Sequence, residues 1–135
     1  MPAGPQQAAA IPFRRTRDGV SLCLITSRTS NLWGIPKGTI ERGCTPEEAA
    51  LQEALEEAGL VGRILGECVG TYEYPKAGVL LTVAVYLMDV DVEAAEWDEQ
   101  EIRRRQWFPV AEAMALLDAH PARSLVEEAR RRLGP

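Results

Sequence analysis

Residues 38–60 read GTIERGCTPEEAALQEALEEAGL, and this stretch decides the fold. Thr45 is placed to cap a helix, Pro46 suits its first position, and Glu48 is where a capping box needs its acid. Gly59 supplies the stop. The expected helix is therefore Pro46 to Ala58. Glu53, Glu56 and Glu57 stand at i, i+3 and i+4, a spacing that puts side chains on one helix face. At about 100° per residue the three carboxylates share an arc of about 100°. Leu51 and Leu55 fall on the opposite side, flanked by Ala54 and Ala58, so that face is expected to pack on a sheet. Ala49 and Ala50 flank the acids, leaving room for a ligand. Surface helices are rich in Glu, and E-x-x-E-E alone also describes an ordinary solvated face. Two features favour a site. No Lys or Arg occurs between Thr45 and Leu60 to pair with the acids. The helix also follows the loop Trp33-Gly34-Ile35-Pro36-Lys37-Gly38, and carboxylates facing loop carbonyls are what hard divalent cations bind.

Outward from this helix, Ala8 to Arg14 reads as a strand, Thr16 to Gly19 as a turn and Val20 to Ser27 as a central apolar strand. Val61 to Tyr74 and Val79 to Val90 read as two more strands, joined by a turn at Pro75 to Gly78. Asp91 to Glu101 is acidic and irregular. Arg105 to Pro109 is a short strand. Val110 to Leu117 and Ala122 to Leu133 are helical, separated at Ala119-His120-Pro121. Strands on both sides of one helix, with helices at the end, imply an α/β (α+β) sandwich on a mixed sheet.

The chain has 135 residues, which fits one domain over residues 6–135 behind a disordered tail at residues 1–5. A formal net charge of −5 speaks against a nucleic acid polymer as partner. The runs Arg103-Arg104-Arg105 and Arg130-Arg131-Arg132 read as solvated faces. Cys23, Cys44 and Cys68 show no C-x-x-C spacing, which fits a reducing cytoplasm rather than a disulfide framework. The longest apolar run, Val79 to Met88, is too short for a membrane helix. The N-terminal residues lack the pattern of a secretory signal.

Residues 38–60 resemble the Nudix box, G-x5-E-x7-R-E-U-x-E-E-x-G-U, where U is bulky and apolar. Gly38, Glu53, Glu56, Glu57, Gly59 and Leu60 match at their places, with Ala54 for the first U. The flanks agree: strand, W-x-x-P-K-G, box, two strands, R-x-W-F-P-x-x-E-A and a final helix. The resemblance implies an α/β/α sandwich with a mixed sheet. It also implies a Mg²⁺- or Mn²⁺-dependent hydrolase of nucleoside diphosphate-linked or related polyphosphate substrates. Glu53, Glu56, Glu57 and the Gly38 carbonyl would be the metal ligands. Glu101 would be the further acid that deprotonates the attacking water or completes the metal shell, with Glu99 second.

Two positions depart from the box. Cys44 stands in place of its first Glu and Gln52 in place of its Arg, two opposite charges that pair in the family. Losing both leaves neither charge without a partner, so the change reads as a neutralised structural pair. Cys44 as a nucleophile has no basic group placed by sequence to activate it. Lys37 and Arg28 are the phosphate-binding candidates. Trp33, Tyr72 and Tyr74 either stack a base or pack in the core, and His120 reads as structural or exposed.

The L-I-T-S-R and R-Q-W-F-P surroundings resemble the branch acting on dinucleoside polyphosphates and diphosphoinositol polyphosphates. ADP-ribose or nucleoside triphosphate hydrolysis, and a Nudix-fold module that binds a nucleotide without cleaving it, remain alternatives. Leu32 and Val79 to Leu81 lie either in a homodimer interface or in the core.

Overall fold

The computed structural model describes residues 4–134. The tail expected over residues 1–5 falls mostly outside them. Strands β1 (Gln7–Thr16) and β2 (Gly19–Thr26) form a hairpin, and Gly19 turns the corner at φ 118°. Short strands β3 (Trp33–Gly34) and β4 (Lys37–Thr39) follow, then α1 (Pro46–Ala58). After it come β5 (Leu60–Ile64), β6 (Gly70–Lys76), β7 (Val79–Glu93), β8 (Arg105–Pro109), α2 (Val110–Leu116) and α3 (Arg123–Leu133).

The eight strands form one sheet whose main path runs β3-β2-β1-β7-β5. β1 and β7 pair in parallel and the remaining ladders are antiparallel, so the sheet is mixed. Alternation along the strands divides the core in two. Ile11, Phe13, Leu22, Leu24, Val83 and Val85 face α2 and α3. Ala8, Ala10, Ile25, Ala84 and Met88 face α1. The result is an α/β/α sandwich.

Three sequence expectations need correction or narrowing. Val61 to Tyr74 is two strands, because Gly66 adopts φ 74° and breaks the extended run. Both strands pair with β7, β5 along Met88–Glu93 and β6 along Val79–Val85. Second, the buried face of α1 carries Ala49, Ala50, Ala54, Glu57 and Ala58, while Leu55 is 43% exposed. The sheet beneath presents Ala8, Ala10 and Ala84, and small side chains on both sides let helix and sheet approach closely. The helix is thereby rotated from the expected leucine-inward setting, and Glu57 turns into the interior. Third, of the two places open to Leu32, Val79 and Leu80, the core is excluded, since all three are exposed. No helix among the described residues is long and apolar enough to cross a membrane.

Candidate active site

The start of α1 is fixed locally. Thr45 Oγ1 accepts from Glu48 N at 3.1 Å and Glu48 Oε1 accepts from Thr45 N at 2.8 Å, a complete capping box worth about 1 kcal/mol. Gly59 ends the helix in the left-handed region at φ 65°. The last turn is held by residues distant in sequence. Trp97 Nε1 donates to the Glu57 carbonyl at 3.0 Å, and Arg105 Nη1 donates to the Ala58 and Ala94 carbonyls at 2.8 Å each. The Arg105 guanidinium lies 3.9 Å from the Trp97 ring centroid. A cation at the last carbonyls also complements the helix dipole.

Across from the helix, β4 pairs with the start of β1, Gly38 opposite Ala8. This ladder carries Lys37 and Gly38 to the acids. A Cβ on Gly38 would occupy the space of the Glu53 carboxylate, so glycine is what lets that carboxylate lie against the loop. Glu57 Oε1 accepts from Lys37 N at 3.2 Å, and Glu57 Oε2 lies 3.5 Å from Arg103 Nη2. Arg103 also donates from Nε to Glu99 Oε1 at 2.7 Å and from Nη1 to the Thr26 carbonyl at 3.0 Å.

Glu57 is only 7% exposed. Burial pushes its carboxyl up to about 8; Arg103 opposes the shift and Glu53 adds to it. Burial also raises Glu53, with the Glu56 and Glu99 charges acting in the same direction. Glu56 is nearer solvent, where its Oε1 accepts from Gln52 Nε2 at 2.8 Å. Among the described residues, no three His, Cys, Asp or Glu side chains are gathered as closely as around a bound ion.

The acids open onto a cleft of about 600 Å³. Glu53, Glu57, Gly38 and Glu99 line one part of it, and Arg28, Trp33, Lys37, Lys76 and His120 line the rest. Lys37 is tethered: Nζ donates to Tyr74 Oη at 3.1 Å, Tyr74 donates to Gln7 Oε1 at 2.7 Å, and Nζ lies 4.4 Å from the Tyr74 ring centroid. Trp33 is half-buried, with its ring edge-on to Phe108 and the Arg104 guanidinium 5.2 Å away.

Sequence reasoning and geometry diverge at several residues. Glu101 is exposed and lines a shallower neighbouring groove, whereas Glu99 lines the cleft itself. Arg103 and Arg105 do not lie on a solvated face; their side chains are 11% and 13% exposed. They precede and enter β8, where alternate residues share a side. The other run does face solvent, with Arg130, Arg131 and Arg132 paired to Glu127 and Glu128. Cys44 is exposed and free. His120, read as structural or exposed, is half-buried and lines the cleft.

The NUDIX domain profile matches residues 4–129. The chain is 32% identical over 117 residues to diphosphoinositol polyphosphate phosphohydrolase 3-beta of Bos taurus, covering 85% of this chain and 70% of that protein. It is 34% identical over 125 residues to mitochondrial Nudix hydrolase 16 of Arabidopsis thaliana, covering 79% and 69%. The fold matches the C. elegans Ap4A hydrolase at TM-score 0.80 and 21% identity, over 98% of this chain and 100% of that one. It also matches the Nudix domain of Shewanella oneidensis NrtR, solved with ADP-ribose, at TM-score 0.74 and 20% identity, over 99% and 91%. The chain belongs to the Nudix family and is a hydrolase of phosphoanhydride bonds.

Proposed function

We propose that the protein is a Mg²⁺- or Mn²⁺-dependent pyrophosphohydrolase of densely phosphorylated substrates, diphosphoinositol polyphosphates first and dinucleoside polyphosphates second. The observation that carries this reading is the pair of buried Glu57 and half-buried Glu53 against Gly38, opening onto a cleft furnished with Arg28, Lys37, Lys76 and Arg103. The bovine relative's name and the chemistry of the cleft point the same way. Trp33 and Tyr74 have cations on or near their rings, which leaves them less suited to stacking a base and favours a phosphate-rich ligand.

The residues present fit a hard divalent cation. Burial drives Glu53 and Glu57 toward their protonated forms, and a dication relieves the same strain that a proton does. Glu53, Glu56, Glu57 and the Gly38 carbonyl would hold it. Such an ion supplies Lewis acidity toward phosphoryl oxygens and makes water a better nucleophile. The protein's own groups do the rest. Lys37, tethered by Tyr74, and Arg28 bind the phosphates flanking the scissile bond. Arg103 holds Glu57 and Glu99 in position. Glu99, at the edge of the acidic wall, is the group in this cleft suited to take a proton from the attacking water, in preference to Glu101.

The test is a hydrolysis screen in Mg²⁺ and Mn²⁺ over diphosphoinositol phosphates, dinucleoside polyphosphates, ADP-ribose and nucleoside triphosphates. The expected result is metal-dependent turnover, greatest for the first class and abolished in folded Glu56→Gln. Undiminished turnover by that variant overturns the assignment of the acids. Tight nucleotide binding without hydrolysis favours a sensing module instead.

A further inference from the structure

His120 lies in the connection between α2 and α3, far from the acidic helix in sequence, yet its side chain forms part of the cleft wall. The loop holds it tightly. His120 N donates to the Leu117 carbonyl at 2.8 Å, and the His120 carbonyl accepts from Arg123 N at 3.1 Å. Nδ1 accepts from Ala122 N at 3.0 Å. That last bond decides the tautomer. A neutral imidazole whose Nδ1 lone pair takes a backbone N–H must carry its own hydrogen on Nε2.

Burial keeps the imidazole pKa below its ordinary value, and the Lys37 charge acts in the same direction, so the ring is neutral near pH 7. The Nε2–H hydrogen has no acceptor among the described residues. Nε2 points toward Gly34, where a Cβ would stand 3.4 Å away. Behind the ring, Tyr72 packs edge-on with centroids 6.0 Å apart, and its buried hydroxyl also lacks a partner. An oriented donor left open beside a lysine in a cleft is a device for binding an oxygen acceptor, since an unmade hydrogen bond in a half-buried place is costly.

We infer that His120 is a substrate-binding residue, donating Nε2–H to a phosphoryl oxygen of a phosphate beyond the scissile bond, on the Lys37 side of the cleft. The inference rests on the polyphosphate reading of the cleft. The residue takes no part in the bond-breaking step. It adds a neutral, directional donor where Lys37 and Arg28 supply charge. Gly34, lacking a side chain, leaves Nε2 accessible.

Two substitutions separate this role from a structural one. His120→Asn keeps an acceptor near the Nδ1 position for Ala122 N–H and removes the distal donor. His120→Gln keeps a donor near the Nε2 position and weakens the loop bond. The full chain and both variants are titrated with inorganic tripolyphosphate in Mg²⁺ by calorimetry, and their thermal stability is measured alongside. Losing a hydrogen bond to a charged acceptor predicts about tenfold weaker binding by His120→Asn at near-native stability. His120→Gln should bind within about threefold of wild type even if less stable. Equal affinity of all three proteins, or loss of affinity only in His120→Gln, overturns the inference alone. Failure of the wild type to bind tripolyphosphate overturns the cleft reading and this inference together.

Discussion

Arg103 approaches Glu57 to 3.5 Å across an almost solvent-free contact, the two side chains being 11% and 9% exposed. This Arg comes from the approach to β8, not from the acidic helix. Gln52, at the place of the box Arg, is instead engaged with Glu56. The counter-charge for the most buried acid is therefore supplied by another part of the chain.

Arg103→Gln should weaken both fold and reaction. Removing the guanidinium deletes its bonds to Glu99 and to the Thr26 carbonyl, at a cost of about 2 kcal/mol; Glu57, already protonated near pH 7 without metal, is not left as a bare charge. Urea unfolding should show that loss, and kcat/KM should fall at least about tenfold because Glu57 and Glu99 both lose their anchor. Native stability with native turnover would show that the pair is incidental.

The raised Glu57 carboxyl predicts an unusual pH dependence for the metal-free protein. Between about pH 4.5 and 8 the folded state retains a proton that the unfolded chain has released. Stability therefore falls as pH rises through that window, since the native state binds more protons. Melting temperatures in chelator should decline across it. Mg²⁺ should flatten the slope, and so should Glu57→Gln. A chelated wild type whose melting temperature rises toward pH 8 would refute the burial of an ionisable Glu57.

Much of this arrangement was legible because local chemistry set it. Thr45, Pro46, Glu48 and Gly59 mark the ends of α1, and the structure ends the helix there. The face of α1 was not legible from its leucines, because helix-to-sheet distance is set by Ala8, Ala10 and Ala84 on other elements. Arg103, Trp97 and His120 reach the site from segments distant in sequence, and no local periodicity reports such a contact. β3 and β4 are too short to carry an alternation, so the ladder that delivers Gly38 had no strand signal of its own.

Cys44 stands exposed just before the Thr45 cap, and among the described residues its thiol makes no hydrogen bond to a side chain. Cys44→Ser should leave metal-dependent turnover within about twofold, as expected of a surface substitution away from packed features. A folded but inactive Cys44→Ser would restore the nucleophile reading.

Gly38→Ala tests the close approach of loop and helix. The backbone at Gly38 needs no positive φ, so the strand pairing with Ala8 accommodates alanine and the fold should persist. The added methyl occupies the space of the Glu53 carboxylate, which must swing aside. Displacing a reacting-site group by about 1 Å costs about a hundredfold in rate. Turnover should fall by about that factor, with a higher metal concentration needed for half-maximal activity and a melting temperature within a few degrees of wild type. A folded Gly38→Ala with native metal dependence would show that Glu53 works equally well away from the loop, and would remove it from the proposed ligand set.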